Sequence, residues 1–206
     1  LVFSDWPMFA KVMEDDDICK EFIEVVTGIE VAELVHCEPE KTLVPEPFAK
    51  PVRLDVFAKG SGKLFDIEMQ ARMLPALGRR LRYYQSAMDS MNVSPGTAYE
   101  ELPDSYIIFL CKSDPFGKGV PVYTFCEKAA EAPGLDLGCG MTWIVLNASA
   151  WQAVSSRRLR CLLEYVGESQ RSDDALVKSI ESKVQAANSN LRWNCLLYTS
   201  DAADDL

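Results

Sequence analysis

Residues 52–70, VRLDVFAKGSGKLFDIEMQ, constrain this chain more than any other stretch. Two apolar-rich runs, Arg53–Lys59 and Lys63–Gln70, flank a glycine-serine turn, the pattern of a β-hairpin. Side chains alternate along a strand, so Phe65, Ile67 and Met69 point one way while Asp66, Glu68 and Gln70 point the other. Asp55 shares its face with Arg53 and Phe57. Directly opposed residues in a hairpin have a constant sum of sequence numbers. A two-residue Ser61-Gly62 loop pairs Gly60 with Lys63, and the same sum opposes Asp55 to Glu68. A four-residue loop keeps that register, whereas a three-residue loop sends the two carboxylates to opposite faces.

In the favourable register the two acids stand about 5 Å apart. Two ionised carboxylates at that distance repel, and a divalent cation removes the penalty; oxygen ligands suit Mg²⁺ or Mn²⁺. Such an ion polarises a phosphodiester and acidifies an attacking water. Gln70, on the same face, could orient that water or bond a phosphate oxygen, but it supplies no charge. The competing reading is an ordinary hairpin with solvated acids. The basic stretch at Arg79, Arg80 and Arg82 likewise reads either as a phosphate-binding helix start or as a solvated face, with Tyr83 and Tyr84 partly in the core. Taken alone, Glu21 and Glu24 read as solvated helix acids, and His36, the single histidine, as structural.

Elsewhere, apolar spacing predicts a helix over Asp17–Thr27, opened by acids and closed by Gly28. IEVAELVHC (29–37) reads as a strand and EPEKTLVPEPFAKP (38–51) as an extended connection. A helix follows over about Leu77–Met91, with Leu77, Leu81, Tyr84 and Met88 on one face. Strands are expected at SYIIFLC (105–111), PVYTFC (121–126) and MTWIVLN (141–147), then helices near Ser156–Gly167 and Asp173–Ala187. This order predicts a mixed α/β sheet flanked by helices, in a single domain over 1–194. The last stretch, CLLYTSDAADDL (195–206), breaks the pattern and resembles a translated sequencing adapter, so it is read as a non-native tail on a truncated chain.

Bulk properties narrow the class. The net charge of −10 argues against a nucleic-acid partner at first sight, but it is uneven. Glu14–Glu46 holds eleven acids and two lysines, whereas Lys50–Ser90 holds eight basic residues and four acids. A basic surface near the hairpin is therefore compatible with an acidic whole. Seven cysteines without a C-x-x-C pair read as reduced, buried thiols of a cytoplasmic protein rather than as disulfides or a zinc site. No apolar run spans a bilayer, and LVFSDWPMFAK lacks the features of a signal peptide.

The residues around the hairpin also carry a family resemblance. VRLDVFAKGSGKLFDIEMQ resembles the core motif of the PD-(D/E)xK nuclease superfamily in its transposase-associated branch, the recombination-promoting nucleases. FAKVMEDDDICKEFIEVVTGIEV resembles that branch's first helix, RRLRYYQSAMD its next helix and LPDSYIIFLCKSDPFGKGVPVYTF the following strand region. The resemblance covers most of residues 5–170. It implies a restriction-endonuclease-like αβββαβ core, here with added C-terminal helices, and metal-dependent hydrolysis of DNA phosphodiesters by an endonuclease of a mobile element. The alternative it leaves is a nuclease-derived DNA-binding protein that cuts weakly or not at all.

Position by position, the resemblance implies that Asp55 and Glu68 are ligands of Mg²⁺ or Mn²⁺. It also implies that Gln70 stands where the general pattern has lysine, and that Glu24, with Glu21 as rival, is the helix acid completing the catalytic set. Arg79, Arg80, Arg82, Tyr83 and Gln85 fall on the helix expected to face DNA. Gly60 replaces an acid of many relatives, an exchange expected to touch only the turn. DNA is the expected partner, a membrane is not, and a homo-oligomer is left open.

Overall fold

The computed structural model describes residues 1–44, 50–72 and 75–190, apart from the side chain of His36. The expected roles of His36 and of the 195–206 tail therefore lie outside the described residues. Among the described residues five α-helices and six β-strands follow one another: α1 (Trp6–Met13), α2 (Asp16–Thr27), β1 (Leu34–Leu43), β2 (Val52–Gly60), β3 (Lys63–Gln70), α3 (Leu77–Asn92), β4 (Ser105–Cys111), β5 (Val122–Phe125), β6 (Met141–Asn147), α4 (Arg157–Glu168) and α5 (Ala175–Ser189). The strands form one sheet in the order β1-β2-β3-β4-β6-β5. The β1–β2–β3 meander is antiparallel, β3, β4 and β6 are parallel, and β5 runs antiparallel along β6. From α2 to β4 the order is the αβββαβ core expected from the resemblance. No helix among the described residues is long and apolar enough to cross a membrane.

Local chemistry sets the element ends. Asp15 caps α2 by accepting from the backbone N–H groups of Asp17 and Ile18, Asp16 and Asp17 fill the first turn, and Gly28 closes the helix at φ +71°. The β2–β3 turn is Ser61-Gly62 with both residues at positive φ (+49° and +71°), the two-residue geometry that matches strand twist. Gly60 has a role beyond the turn. A Cβ there would stand 2.8 Å from Val31 Cγ1 and 2.9 Å from the Glu33 carbonyl oxygen, so the α2–β1 connection closes onto bare backbone.

The sheet is covered on both faces. Phe65, Ile67 and Met69 join α1, α2, α4 and α5 in the larger core; Phe57, Leu64, Ile107 and Phe109 pack with Leu81, Ala87 and Met88 of α3 in the smaller one. Three expectations need correction. β1 begins at Leu34 and runs through Leu43, so the Glu38–Leu43 part of the expected connection is strand paired to β2. The α1 helix, opened by Pro7 in its first turn, had no counterpart in the sequence reading. The cysteines are not uniformly buried: Cys19 and Cys111 are, whereas Cys126 and Cys139 are exposed, and all six within the described residues are free.

Candidate active site

The hairpin register opposes residues as the two-residue loop requires: Gly60 pairs with Lys63, Ala58 with Phe65 and Val56 with Ile67. Regular backbone pairing between β2 and β3 stops there, one step short of Asp55 and Glu68. Side chains take over. The Asp55 N–H donates to Glu68 Oε1 at 2.8 Å, and the Met69 N–H donates to Asp55 Oδ2 at 2.9 Å. Each carboxylate thus binds backbone of the opposite strand, which fixes both groups while the strands part. Asp55 Oδ1 and Glu68 Oε2 stay outside this exchange.

β2 is irregular at the same point. Val56 and Ala58 pack in the larger core and Phe57 in the smaller, as alternation requires, but Val52 and Leu54 also pack in the smaller core. The alternation breaks at Asp55. On β1, Pro39 pairs with Val56 and Lys41 with Leu54, and Glu40 between them takes φ +57°. A non-glycine residue in that region marks local backbone strain, a feature that clusters at functional sites.

Three acids crowd this spot. Asp55, Asp66 and Glu68 are 8%, 0% and 2% exposed. Neither Asp66 oxygen has a hydrogen-bond partner of ordinary geometry, a rare and costly state for a buried polar group. Burial, and then the Asp55 charge, push the Glu68 carboxyl up to about 8. Burial raises Asp55, opposed by the Met69 N–H and a hydrogen bond from Trp6. Asp66 is raised well above the usual carboxylate range by burial and by the charges of Glu68 and Asp55. Without a cation the cluster holds protons, because it cannot hold three negative charges out of water.

These residues fit a divalent metal. The Asp66 oxygens lack partners of ordinary geometry, the acids outnumber the cation beside them, and all the donors are hard oxygens. Among the described residues no three Asp, Glu, His or Cys side chains are placed so that together they could hold a metal ion. Mg²⁺ needs no such set of three, since it is commonly held by one or two carboxylates, completing its octahedron with water and substrate phosphate.

The other expected site residues divide by location. Gln70 borders the acids; its Nε2 donates to the Met69 carbonyl at 3.1 Å and its Oε1 accepts from Arg80 Nη1 at 3.1 Å. Arg80 turns inward, with Nη2 at 3.8 Å from Glu68 Oε2. Arg79, Arg82 and Tyr83 are exposed on α3, Tyr83 donating to the Lys50 carbonyl at 2.7 Å. Gln85 is buried, donating to Ser105 Oγ and accepting from Trp143 Nε1. Glu24 accepts from the Val31 N–H at 3.0 Å, which ties the end of α2 to the chain entering β1, and Glu21 pairs with Arg158 of α4. Asp66 enters the cluster unannounced: alternation puts it on the correct face, but its burial depends on how α3 covers that face.

The model of a family described as PD-(D/E)XK nuclease family transposase matches residues 4–125, from before α1 through β5. The matched span contains Asp55, Asp66, Glu68, Gln70 and Arg80. No curated protein and no solved structure matches the chain.

Proposed function

From the premise that the chain belongs to the PD-(D/E)XK nuclease family transposases, and is thus related to nucleases of transposition, we propose that it is a divalent-metal-dependent DNA endonuclease. One observation carries this reading: Asp55 and Glu68, locked to each other's strands, sit with Asp66 in a buried acidic cluster that must hold protons when it holds no metal. Asp55 and Glu68 would hold Mg²⁺ or Mn²⁺, with Asp66 supplying negative charge beside them. When bound, the ion would supply Lewis acidity at the phosphate and lower the pKa of a coordinated water.

The protein's own contribution is orientation and exclusion of water. The crossed N–H···carboxylate bonds fix Asp55 and Glu68 before substrate arrives, so little reorganisation remains for the reaction. Phe109, on the parallel strand β4 opposite Glu68, closes one wall of the site. Exposed Arg79 and Arg82 on α3 would bind backbone phosphates along the duplex, which places DNA over the start of that helix.

The test is supercoiled plasmid incubated with the protein in Mg²⁺, in Mn²⁺ and in EDTA. Nicking that requires the metal, and that Asp55→Ala and Glu68→Ala each abolish, is the expected result. Salt-sensitive DNA binding without nicking would instead favour a nuclease-derived binding protein.

A further inference from the structure

Hydrolysis of a phosphodiester builds negative charge on the phosphate oxygens, and a fixed cationic side chain beside the metal adds to its stabilisation. Gln70 is neutral, and both ends of its amide are already engaged, one by the Met69 carbonyl and the other by Arg80. It is not free to activate water. Among the described residues Arg80 is the cation in contact with Gln70 and Glu68.

The surroundings of Arg80 aim it rather than bury it. Its guanidinium carbon lies 5.3 Å from the ring centroids of both Tyr84 and Phe109. Nη1 donates to Gln70 at 3.1 Å and Nη2 to the Tyr84 hydroxyl at 3.0 Å. The side chain is still 26% exposed. A guanidinium carries five N–H donors in a fixed plane, so these contacts orient the group and leave donors for an anion. Arg79 and Arg82 point to solvent, so Arg80 is the inward member of the basic stretch.

We propose that Arg80 is a catalytic residue whose guanidinium binds a non-bridging oxygen of the scissile phosphate, supplying the charge that Gln70 lacks, and that Gln70 is the positioning residue that aims it. In the reaction the water oxygen bonds to phosphorus, the bond to the leaving deoxyribose oxygen breaks, and the proton lost by water is matched by one taken up at the leaving oxygen. Arg80 stays protonated throughout and changes only the stability of the charged transition state. This assignment rests on the nuclease reading.

Two measurements test it together: steady-state nicking with Mn²⁺, and calorimetric titration of Mn²⁺ in the absence of DNA. Arg80→Ala is expected to lower kcat at least a hundredfold with KM within about threefold. It should bind Mn²⁺ as tightly as the parent or several-fold more tightly, because a like charge beside Glu68 has gone. Adding Gln70→Lys to Arg80→Ala should recover at least tenfold of the lost rate by returning a cation to the same place.

Unchanged kcat in Arg80→Ala overturns the proposal, as does a loss confined to KM, which would make Arg80 a DNA-backbone contact. Weakened Mn²⁺ binding with a lowered melting temperature would make it a structural pillar and overturn it equally. A parent protein that binds Mn²⁺ but never nicks defeats the nuclease reading itself and takes this proposal with it. A parent that nicks while Arg80→Ala nicks as fast defeats this proposal alone.

Discussion

Replacing Glu68 by Gln should stabilise the metal-free protein at alkaline pH while destroying its metal site. The sign follows from the carboxyl's raised position, from 4.5 up to about 8 through burial and the Asp55 charge. A group held protonated in the folded state contributes its full stability below pH 4.5, and that contribution is lost as pH rises through 8. Each unit of displacement is about 1.4 kcal/mol, so the ceiling on the loss is about 5 kcal/mol. Water entering between the parted strands relieves part of this, leaving about 2–3 kcal/mol. Glutamine mimics the protonated acid and keeps an acceptor oxygen for the Asp55 N–H. Glu68→Gln should therefore escape the Glu68 share of the alkaline loss, while the share due to Asp66 and Asp55 remains, whatever constant offset it carries at pH 5.

Thermal unfolding in EDTA at pH 5 and pH 9 measures this difference of differences. For a chain of this length it corresponds to roughly 5–10 °C between the two proteins' shifts. The same variant should show no Mn²⁺ binding heat at either pH. If parent and variant lose stability in parallel between pH 5 and pH 9, Glu68 is not the strained acid described above and the crowding argument fails.

Gly60→Ala should cost about 2 kcal/mol, read as a lower urea midpoint, because its Cβ would overlap Val31 and the Glu33 carbonyl; an unchanged midpoint would show that this connection yields. Asp15→Ala should cost about 1 kcal/mol by removing the cap from two N–H groups of α2, while its exposed pair with Lys183 adds little. Arg79→Ala and Arg82→Ala should each reduce the slope of log affinity for duplex DNA against log salt by about 1; slopes equal to the parent's would remove α3 from the DNA face.

Much of the architecture was legible because it rests on periodicity and turn chemistry. SYIIFLC and MTWIVLN become β4 and β6 at their expected residues, as continuous apolar runs do in parallel strands covered on both sides. β1 runs beyond the expected end at Cys37, since Glu38, Pro39 and Glu40 look like loop residues. Pairing to β2 overrides their low strand propensity, and Pro39 is tolerated because β1 is an edge strand of the sheet. α1 escaped notice because its eight residues carry too little periodic signal to separate from the chain end.

The site was legible only where it depends on neighbours in sequence. Register arithmetic brings Asp55 to Glu68 because both lie on one hairpin, a local problem with few solutions. Arg80 and Asp66 pose a different problem, since their roles are set by how α3 docks on the far side of β3. Helical spacing distinguishes the inward arginine from Arg79 and Arg82 only once the covered face is known, and Arg80 is fixed by Phe109, which lies 29 positions away on β4. Asp66 alternates with Ile67 like any strand residue, and nothing local shows that its oxygens will be buried without partners of ordinary geometry. A chain that keeps three acids under an apolar helix face accepts a stability loss in the metal-free state. Solvated hairpin acids would carry no such loss, so the pH dependence of the apoprotein can separate the two readings without any nuclease assay.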